Sequence, residues 1–306
     1  MERKIFSIAP SFNCSLKCPG CYLTEGVTKE MRDAVKTDYY WERAMEEAVK
    51  YGYEEFAMTL NPFPGATEKA VEYASLAKSK GFKFINVTAT LSALYDVENG
   101  NLKEHTESLL RIINVISISV DENRFKDPND FLRSISGFDD ELDNMDFYLM
   151  EGKHLNINLL WTPTVFDWFE KENLDTVLSD ISRWQNGSVV DLERSAKITF
   201  QHLIYKPFSL YPSEEWFYTN YMNVFNNAKF IKIAGGDKYQ VGDAAFNNTL
   251  GMNDCPGNMM LDIDPMGFAR KCPENPNSYD ASDISKLRAI LLNGVPNCGK
   301  SKCNCI

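Results

Sequence analysis

The run Asn13-Cys14-Ser15-Leu16-Lys17-Cys18-Pro19-Gly20-Cys21-Tyr22 follows directly on an apolar segment, residues 5–12, and it decides how the rest of the chain is read. Its thiols are spaced C-x3-C-x2-C. Three thiolates from one short loop can ligate three irons of a four-iron cluster and leave the fourth iron open to a small molecule. A structural zinc site closes with four ligands, and neither a fourth cysteine nor a histidine lies near this loop; the nearest histidine is His105. A disulfide scaffold is disfavoured by the chain's length and by residues 1–10, which lack a continuous apolar core and a small-residue cleavage site. The spacing points to a cluster with an open coordination site, and an open site implies chemistry.

The 306 residues suffice for one large α/β domain with a small appendage. No apolar run reaches the length of a membrane span, and the terminal Cys303-Asn304-Cys305-Ile306 has polar or thiol residues where a prenylation box needs aliphatic ones. A formal net charge of −11 argues against a nucleic-acid surface, which needs clustered Lys and Arg, and suits a cationic small substrate better. Eight cysteines without a secretion signal place the chain in a reducing compartment, the cytoplasm, with metal ligation as their use. Three precede residue 22, and the other five, Cys255, Cys272, Cys298, Cys303 and Cys305, follow residue 254. The gap between the groups predicts two metal sites.

Strand-like segments at 5–12, 55–60, 83–89, 115–120, 156–161 and 197–204 alternate with helical patterns at 39–51, 68–80, 102–113, 129–150, 171–184 and 214–228. Such alternation is the mark of βα units around a parallel sheet. Six units fit a partial barrel, and periodicity alone leaves an open doubly wound sheet equally acceptable. In parallel barrels the loops after the strands carry the chemistry, and the cysteine loop follows the first strand.

The cysteine loop resembles that of the radical S-adenosylmethionine enzymes. That resemblance selects a partial (β/α)6 barrel over the open sheet. It implies that Cys14, Cys18 and Cys21 hold a [4Fe-4S] cluster whose open iron chelates S-adenosylmethionine, with reductive cleavage giving a 5′-deoxyadenosyl radical that abstracts hydrogen from substrate. An electron donor such as flavodoxin or ferredoxin is then a partner. The second strand runs into Asn61-Pro62-Phe63-Pro64-Gly65, where the family usually carries Gly-Gly-Glu-Pro, so Asn61 or nearby carbonyls are left to receive the methionyl amino group. Two prolines and a glycine there also suit a rigid turn. Thr88 ends the third strand with a hydroxyl for the ligand. On the fourth, Ser117-Ile118-Ser119-Val120-Asp121 resembles the family's Ser-Leu-Asp-Gly, which puts Ser119 and Asp121 by the ribose or methionyl part. Arg133 falls near the family's Asp-x-x-Arg and is a candidate for the methionyl carboxylate, or else a solvated helix charge. Tyr22 stands one residue after the third cysteine, close to where the family places its adenine-bordering aromatic, and a core tyrosine would fit there too. His202 on the sixth strand is a candidate acid or base.

Near the C-terminus, Cys255 and Cys272 bracket a strand and a Pro-x-Gly turn with the pattern C-x11-G-x4-C. This resembles the opening of the SPASM and Twitch extensions, which carry auxiliary [4Fe-4S] clusters. The expected division is a barrel over residues 1–235 and a small Twitch-like iron–sulfur unit over 236–306. Cys255, Cys272 and Cys298 are its expected ligands, with Cys303 or Cys305 as the fourth; a four-cysteine zinc site would use the same set. The remaining thiol, for which Cys305 is a candidate, could donate a hydrogen atom. The expected activity is a two-electron oxidation of a small metabolite or short peptide, with an epimerase or peptide maturase as alternatives and a non-catalytic iron–sulfur sensor as the remaining class. Many peptide-modifying relatives carry a leader-binding domain before the barrel, whereas the first strand here begins at about Ile5, which favours a small metabolite or an unaided peptide.

Overall fold

The computed structural model describes residues 4–18, 21, 23, 24, 26–96, 99, 101–121, 125, 154–160, 162–171, 197–203, 212, 213, 215, 216, 219, 220, 223, 260–271 and 277–295. Its strands are β1 (Ile5–Ile8), β2 (Glu55–Leu60), β3 (Phe84–Ala89), β4 (Tyr95–Asp96), β5 (Asn101–Leu102), β6 (Val115–Val120), β7 (His154–Leu160), β8 (Lys197–Leu203), β9 (Met260–Ile263), β10 (Phe268–Arg270) and β11 (Tyr279–Asp280). Its helices are α1 (Lys29–Asp33), α2 (Asp38–Lys50), α3 (Ala66–Lys80), α4 (Thr106–Ile112), α5 (Pro163–Lys171) and α6 (Ile284–Asn293). One sheet runs in the order β11-β10-β9-β1-β2-β3-β6-β7-β8, and β4 and β5 form a separate ribbon. Within the run β1-β2-β3-β6-β7-β8 every neighbour pairs in parallel, giving the six-stranded partial barrel.

Alternation along the strands separates two faces. Phe6, Ile8, Phe56, Met58, Ile85, Val87, Ile116 and Ile118 are buried in one core against the helices. Phe82, just before β3, stacks on Phe6 with centroids 6.1 Å apart and meets Phe56 at 5.6 Å. The intervening residues, Ser7, Ala57, Thr59, Asn86, Thr88, Ser117 and Ser119, line the opposite face, which is the lumen of the partial barrel.

Several boundaries differ from the periodicity, among them β7 from His154 rather than 156, α3 from Ala66 rather than 68 and α5 from Pro163 for a helix expected from 171, and two have a plain cause. The first strand ends at Ile8 because Pro10 cannot donate to a ladder, although the Ala9 N–H still reaches the Ile263 carbonyl at 3.0 Å. The helix expected from residue 102 begins at Thr106, because Leu102 is spent in the β4–β5 ribbon and His105 takes a left-handed φ of 66° as the residue before the helix. The patterns at 129–150 and 214–228 lie wholly or mostly outside the described residues, as does 171–184 beyond Lys171, where α5 ends.

The hairpin read between Cys255 and Cys272 is formed by β9 and β10. Its first strand adds to the barrel sheet, pairing in parallel with β1 from Ile5↔Met260 to Ile8↔Ile263. The turn is clamped from two sides: the Lys36 N–H donates to the Pro265 carbonyl at 2.8 Å, and the Ala281 N–H to the Gly267 carbonyl at 2.9 Å. Gly267 has φ +85°, and a Cβ there would meet Lys36 Cε at 2.9 Å and the Ser282 Cα at 3.0 Å. Lys36 can move and the Ser282 backbone cannot. A Cβ added at Gly294, where φ is +75°, would meet nothing within 4 Å. Gly294→Ala carries backbone strain alone, about 1–3 kcal/mol because its ψ of 162° lies in a region open essentially to glycine, and Gly267→Ala carries left-handed strain of about 1 kcal/mol together with the clash, for a total of about 2–3 kcal/mol. Thermal melting of the two variants side by side checks both costs.

Candidate active site at the mouth of the barrel

The cysteine loop leaves the C-terminal end of β1 and is pinned by backbone contacts. The Ser15 N–H donates to the Pro62 carbonyl at 2.8 Å, the Cys21 N–H to the Cys18 carbonyl at 3.3 Å and the Thr24 N–H to the Cys21 carbonyl at 3.1 Å. Phe12 and Leu23, buried on either side, anchor the loop apolarly, and Arg32 Nη1 reaches the Phe12 carbonyl at 3.4 Å. Cys14, Cys18 and Cys21 are half-buried. Their donor type and chain spacing fit an iron–sulfur cluster. Among the described residues no three His, Cys, Asp or Glu side chains converge on a point that could hold a metal ion, so the loop presents the ligands without gathering them.

The Pro62 to Gly65 turn joins this loop to α3, and Gly65 takes the left-handed conformation before the first helical residue. Rigid-turn and site readings thus coincide: the turn positions the cysteine loop through Pro62, and Asn61 stays half-buried beside Ser11 and Thr59. A cleft of about 740 Å³ opens alongside, lined by Ser15 and Leu16, the 62–68 segment, Ser92 and Ala93, and residues 103–105. The Lys103 ammonium is tied to the Ser92 carbonyl at its rim.

Further round the mouth, Thr88 is half-buried, Ser119 is 8% exposed and Asp121 is fully buried at the end of β6. Ser119 pairs in register with Asn158, and Asn158 with Gln201. His202 pairs instead with Leu159, in the row of Val120 and not in the polar row of Ser119 and Asn158. Tyr22, Arg133, Cys255, Cys272, Cys298, Cys303 and Cys305 lie outside the described residues.

Three lumen groups escaped the sequence reading. Asn158 is 5% exposed, and its Oδ1 accepts no hydrogen bond. On the other side, Asp262 of β9 is 4% exposed and receives the Ser7 hydroxyl at 2.7 Å. Arg270, the register partner of Asp262, sends Nη2 to Asp264 Oδ2 at 3.4 Å while its Nε stays buried without an acceptor. Asp262 interrupts the apolar strand Met260–Ile263, and Asn158 continues the polar alternation of Asn156 along β7; those are the signals that could have found them, and Arg270 at the end of β10 gives none.

Burial raises the Asp262 carboxyl from 3.8 to about 6, a rise moderated by the Ser7 hydroxyl and by Arg270 and reinforced by Asp264. Asp264 is raised in the same way by burial, opposed by backbone N–H groups of its own turn. A carboxyl whose folded pKa exceeds its unfolded one costs stability above the folded value and nothing below the unfolded one. Asp262→Asn should therefore stabilise the protein by up to about 3 kcal/mol at pH 8, with the gain gone at pH 3.5. Melting curves at the two pH values test it.

Comparison with solved structures identifies the architecture. SuiB of Streptococcus suis, bound to S-adenosylmethionine, superposes with a TM-score of 0.54 at 14% identity, over 95% of this chain and 64% of SuiB. A second SuiB structure gives 0.53 at the same identity. The native protein anSMEcpe with bound AdoMet gives 0.53 at 14% identity, over 92% of this chain and 79% of that one. The chain thus spans a little under two thirds of SuiB's length. No protein-family model matches the sequence, and no curated protein does. Among the described residues no helix is long and apolar enough to cross a membrane. The chain shares the fold of these solved structures, a partial parallel barrel extended at its β1 edge.

Proposed function

We propose that the protein is a radical S-adenosylmethionine enzyme that removes hydrogen from a small metabolite or short peptide, most simply as a two-electron oxidation. The observation that carries this reading is the C-x3-C-x2-C loop at the C-terminal end of β1 in a six-stranded parallel partial barrel. Cys14, Cys18 and Cys21 would hold the cluster, and four of the five C-terminal cysteines an auxiliary one. When bound, the first cluster with S-adenosylmethionine supplies a 5′-deoxyadenosyl radical, and the auxiliary cluster an acceptor for the second electron of a dehydrogenation. A flavodoxin or ferredoxin would deliver the first electron.

The chain's own residues position and shield. Ser15, held on Pro62, fixes the cysteine loop against the β2 turn, and Phe12 and Leu23 keep water from its inner side. The unpaired Oδ1 of Asn158 beside Ser119 is an acceptor for a ligand hydroxyl, which fits the ribose of S-adenosylmethionine. Asn61 offers a side-chain acceptor for the methionyl amino group, and the Pro62 carbonyl, with one lone pair beyond its bond from Ser15, a backbone one.

Anaerobic reconstitution followed by turnover in deuterated water tests the reaction. A product two mass units lighter than substrate is expected. Solvent deuterium at a carbon of an otherwise unchanged product marks the epimerase instead, with a spare cysteine as hydrogen donor. No 5′-deoxyadenosine under reducing conditions would refute the radical reading.

A further inference from the structure

A buried carboxylate and a buried, unpaired guanidinium nitrogen sit side by side on the lumen face, on the strands that extend the sheet beyond β1. Leu261 and Ile263 belong to the core, so Asp262 between them faces the lumen beside Ser7, its parallel register partner. Arg270 is opposite Asp262 in the antiparallel β9–β10 pair, and directly opposed residues share a face. Such neighbours would ordinarily pair with each other. Here the Asp262 carboxylate takes its hydrogen bond from Ser7, and the guanidinium turns its Nη2 to Asp264. Arg270 Nε is left with a proton and no acceptor, fully removed from solvent. Asp264 meanwhile is bound on Oδ1 by its own turn, accepting the Met266 and Phe268 N–H groups at 3.0 and 2.9 Å, and offers only Oδ2 to Arg270.

An orphan donor next to a carboxylate with one partner is an arrangement that costs stability and that packing does not explain. It is complementary to a ligand that presents a cationic donor and an acceptor on adjoining atoms. We propose that Asp262 and Arg270 form a subsite on the β9 wall of the barrel that binds the amino-acid head of the substrate, its ammonium on Asp262 and its carboxylate or carbonyl on Arg270 Nε. The subsite rests on the radical reading for what happens next, and it narrows the substrate to a free amino acid or an amino acid derivative with an open head. Two carboxylates against one guanidinium leave net negative charge there, which the ammonium would neutralise.

The test uses the reconstituted holoenzyme under dithionite, with 5′-deoxyadenosine formation as the readout. The probes are the free amino acids, each paired with its N-acetyl form and its carboxamide. Stimulation by at least one free amino acid is expected, with N-acetylation raising the half-maximal concentration about tenfold or more. Asp262→Asn should raise it similarly for the free form and narrow the gap between the free and acetylated forms, and Arg270→Gln should narrow the gap between acid and carboxamide. A purely structural role would shift the melting temperature without changing either ratio. Equal stimulation by acetylated and free forms, no stimulation by any of them, or unaltered ratios in both variants overturns the subsite. The affinity for S-adenosylmethionine is measured in parallel, and a loss there as large as that for the amino acid would assign the pair to the cosubstrate's own head and overturn the proposal. Complete absence of 5′-deoxyadenosine in the wild type defeats the radical reading together with the subsite, whereas 5′-deoxyadenosine that no head group stimulates defeats the subsite alone.

Discussion

Replacing Cys14, Cys18 and Cys21 together by Ala abolishes cleavage of S-adenosylmethionine and leaves the reconstituted protein with about half its iron, roughly four of eight atoms. The reason is local. The three thiols are the only cysteines before residue 254, so no other part of the chain can replace them as ligands without refolding. The loop itself is held by backbone hydrogen bonds from Ser15, Cys21 and Thr24 and by the burial of Phe12 and Leu23, none of which uses a thiol. The triple variant should therefore fold with an unchanged circular dichroism spectrum and lose chemistry alone. Iron and sulfide analysis with electron paramagnetic resonance of the reduced protein checks both halves of the expectation. Full iron content in the triple variant would mean that the loop is not a cluster site. Zinc in place of the remaining iron would assign the C-terminal cysteines to a structural metal and remove the acceptor from the proposed oxidation.

The strands were legible where one face alone is apolar: 55–60 and 115–120 coincide with β2 and β6, because Phe56, Met58 and Leu60 or Ile116, Ile118 and Val120 mark the core side at a period of two. The cysteine loop was legible because metal ligation constrains chain spacing directly. What sequence could not disclose is nonlocal. Ser7 and Asp262 are 255 positions apart and meet only because β9 adds to the barrel edge, a pairing fixed by the sheet as a whole. Read for its apolar half, Leu261-Asp262-Ile263 gives a strand; the significance of its polar member appears only when Ser7 and Arg270 stand beside it. Helix 102–113 failed for a related reason, since the apolar Leu102 served a two-residue ribbon with Tyr95 before the helical turn began.

The C-terminal segment should loosen from the barrel when Arg288 is lost, because its ion pair is the charged link between α6 and α2. Arg288 Nε and Nη2 donate to the two oxygens of Glu47 at 2.8 and 2.9 Å, the two-pronged geometry in which a guanidinium binds a carboxylate most strongly. Glu47 is 2% exposed, with Lys50 Nζ at 2.8 Å as its other partner. Tyr40 adds a second tie, its hydroxyl donating to the Ala281 carbonyl at 2.6 Å. The hydrogen bonds to Glu47, with Arg288 first, hold its carboxyl at about 2, below its ordinary 4.5. A depressed carboxyl contributes stability that is fully present above the unfolded value and is lost as pH falls from about 4.5 toward 2. Arg288→Ala leaves the buried carboxylate with Lys50 as its remaining partner and one oxygen unpaired, which is worse than removing the pair. Its melting temperature at pH 7 should drop by roughly 3–6 °C, with the difference from wild type vanishing near pH 2. Glu47→Gln combined with Arg288→Ala should recover part of the loss, since no charge then remains buried. Equal melting of wild type and Arg288→Ala at pH 7 would show that β9 and the clamped turn at Gly267 hold the segment without the ion pair. In that event α6 is held to the barrel through the sheet edge and the Tyr40–Ala281 tie, and the Gly267→Ala variant becomes the one that should release it.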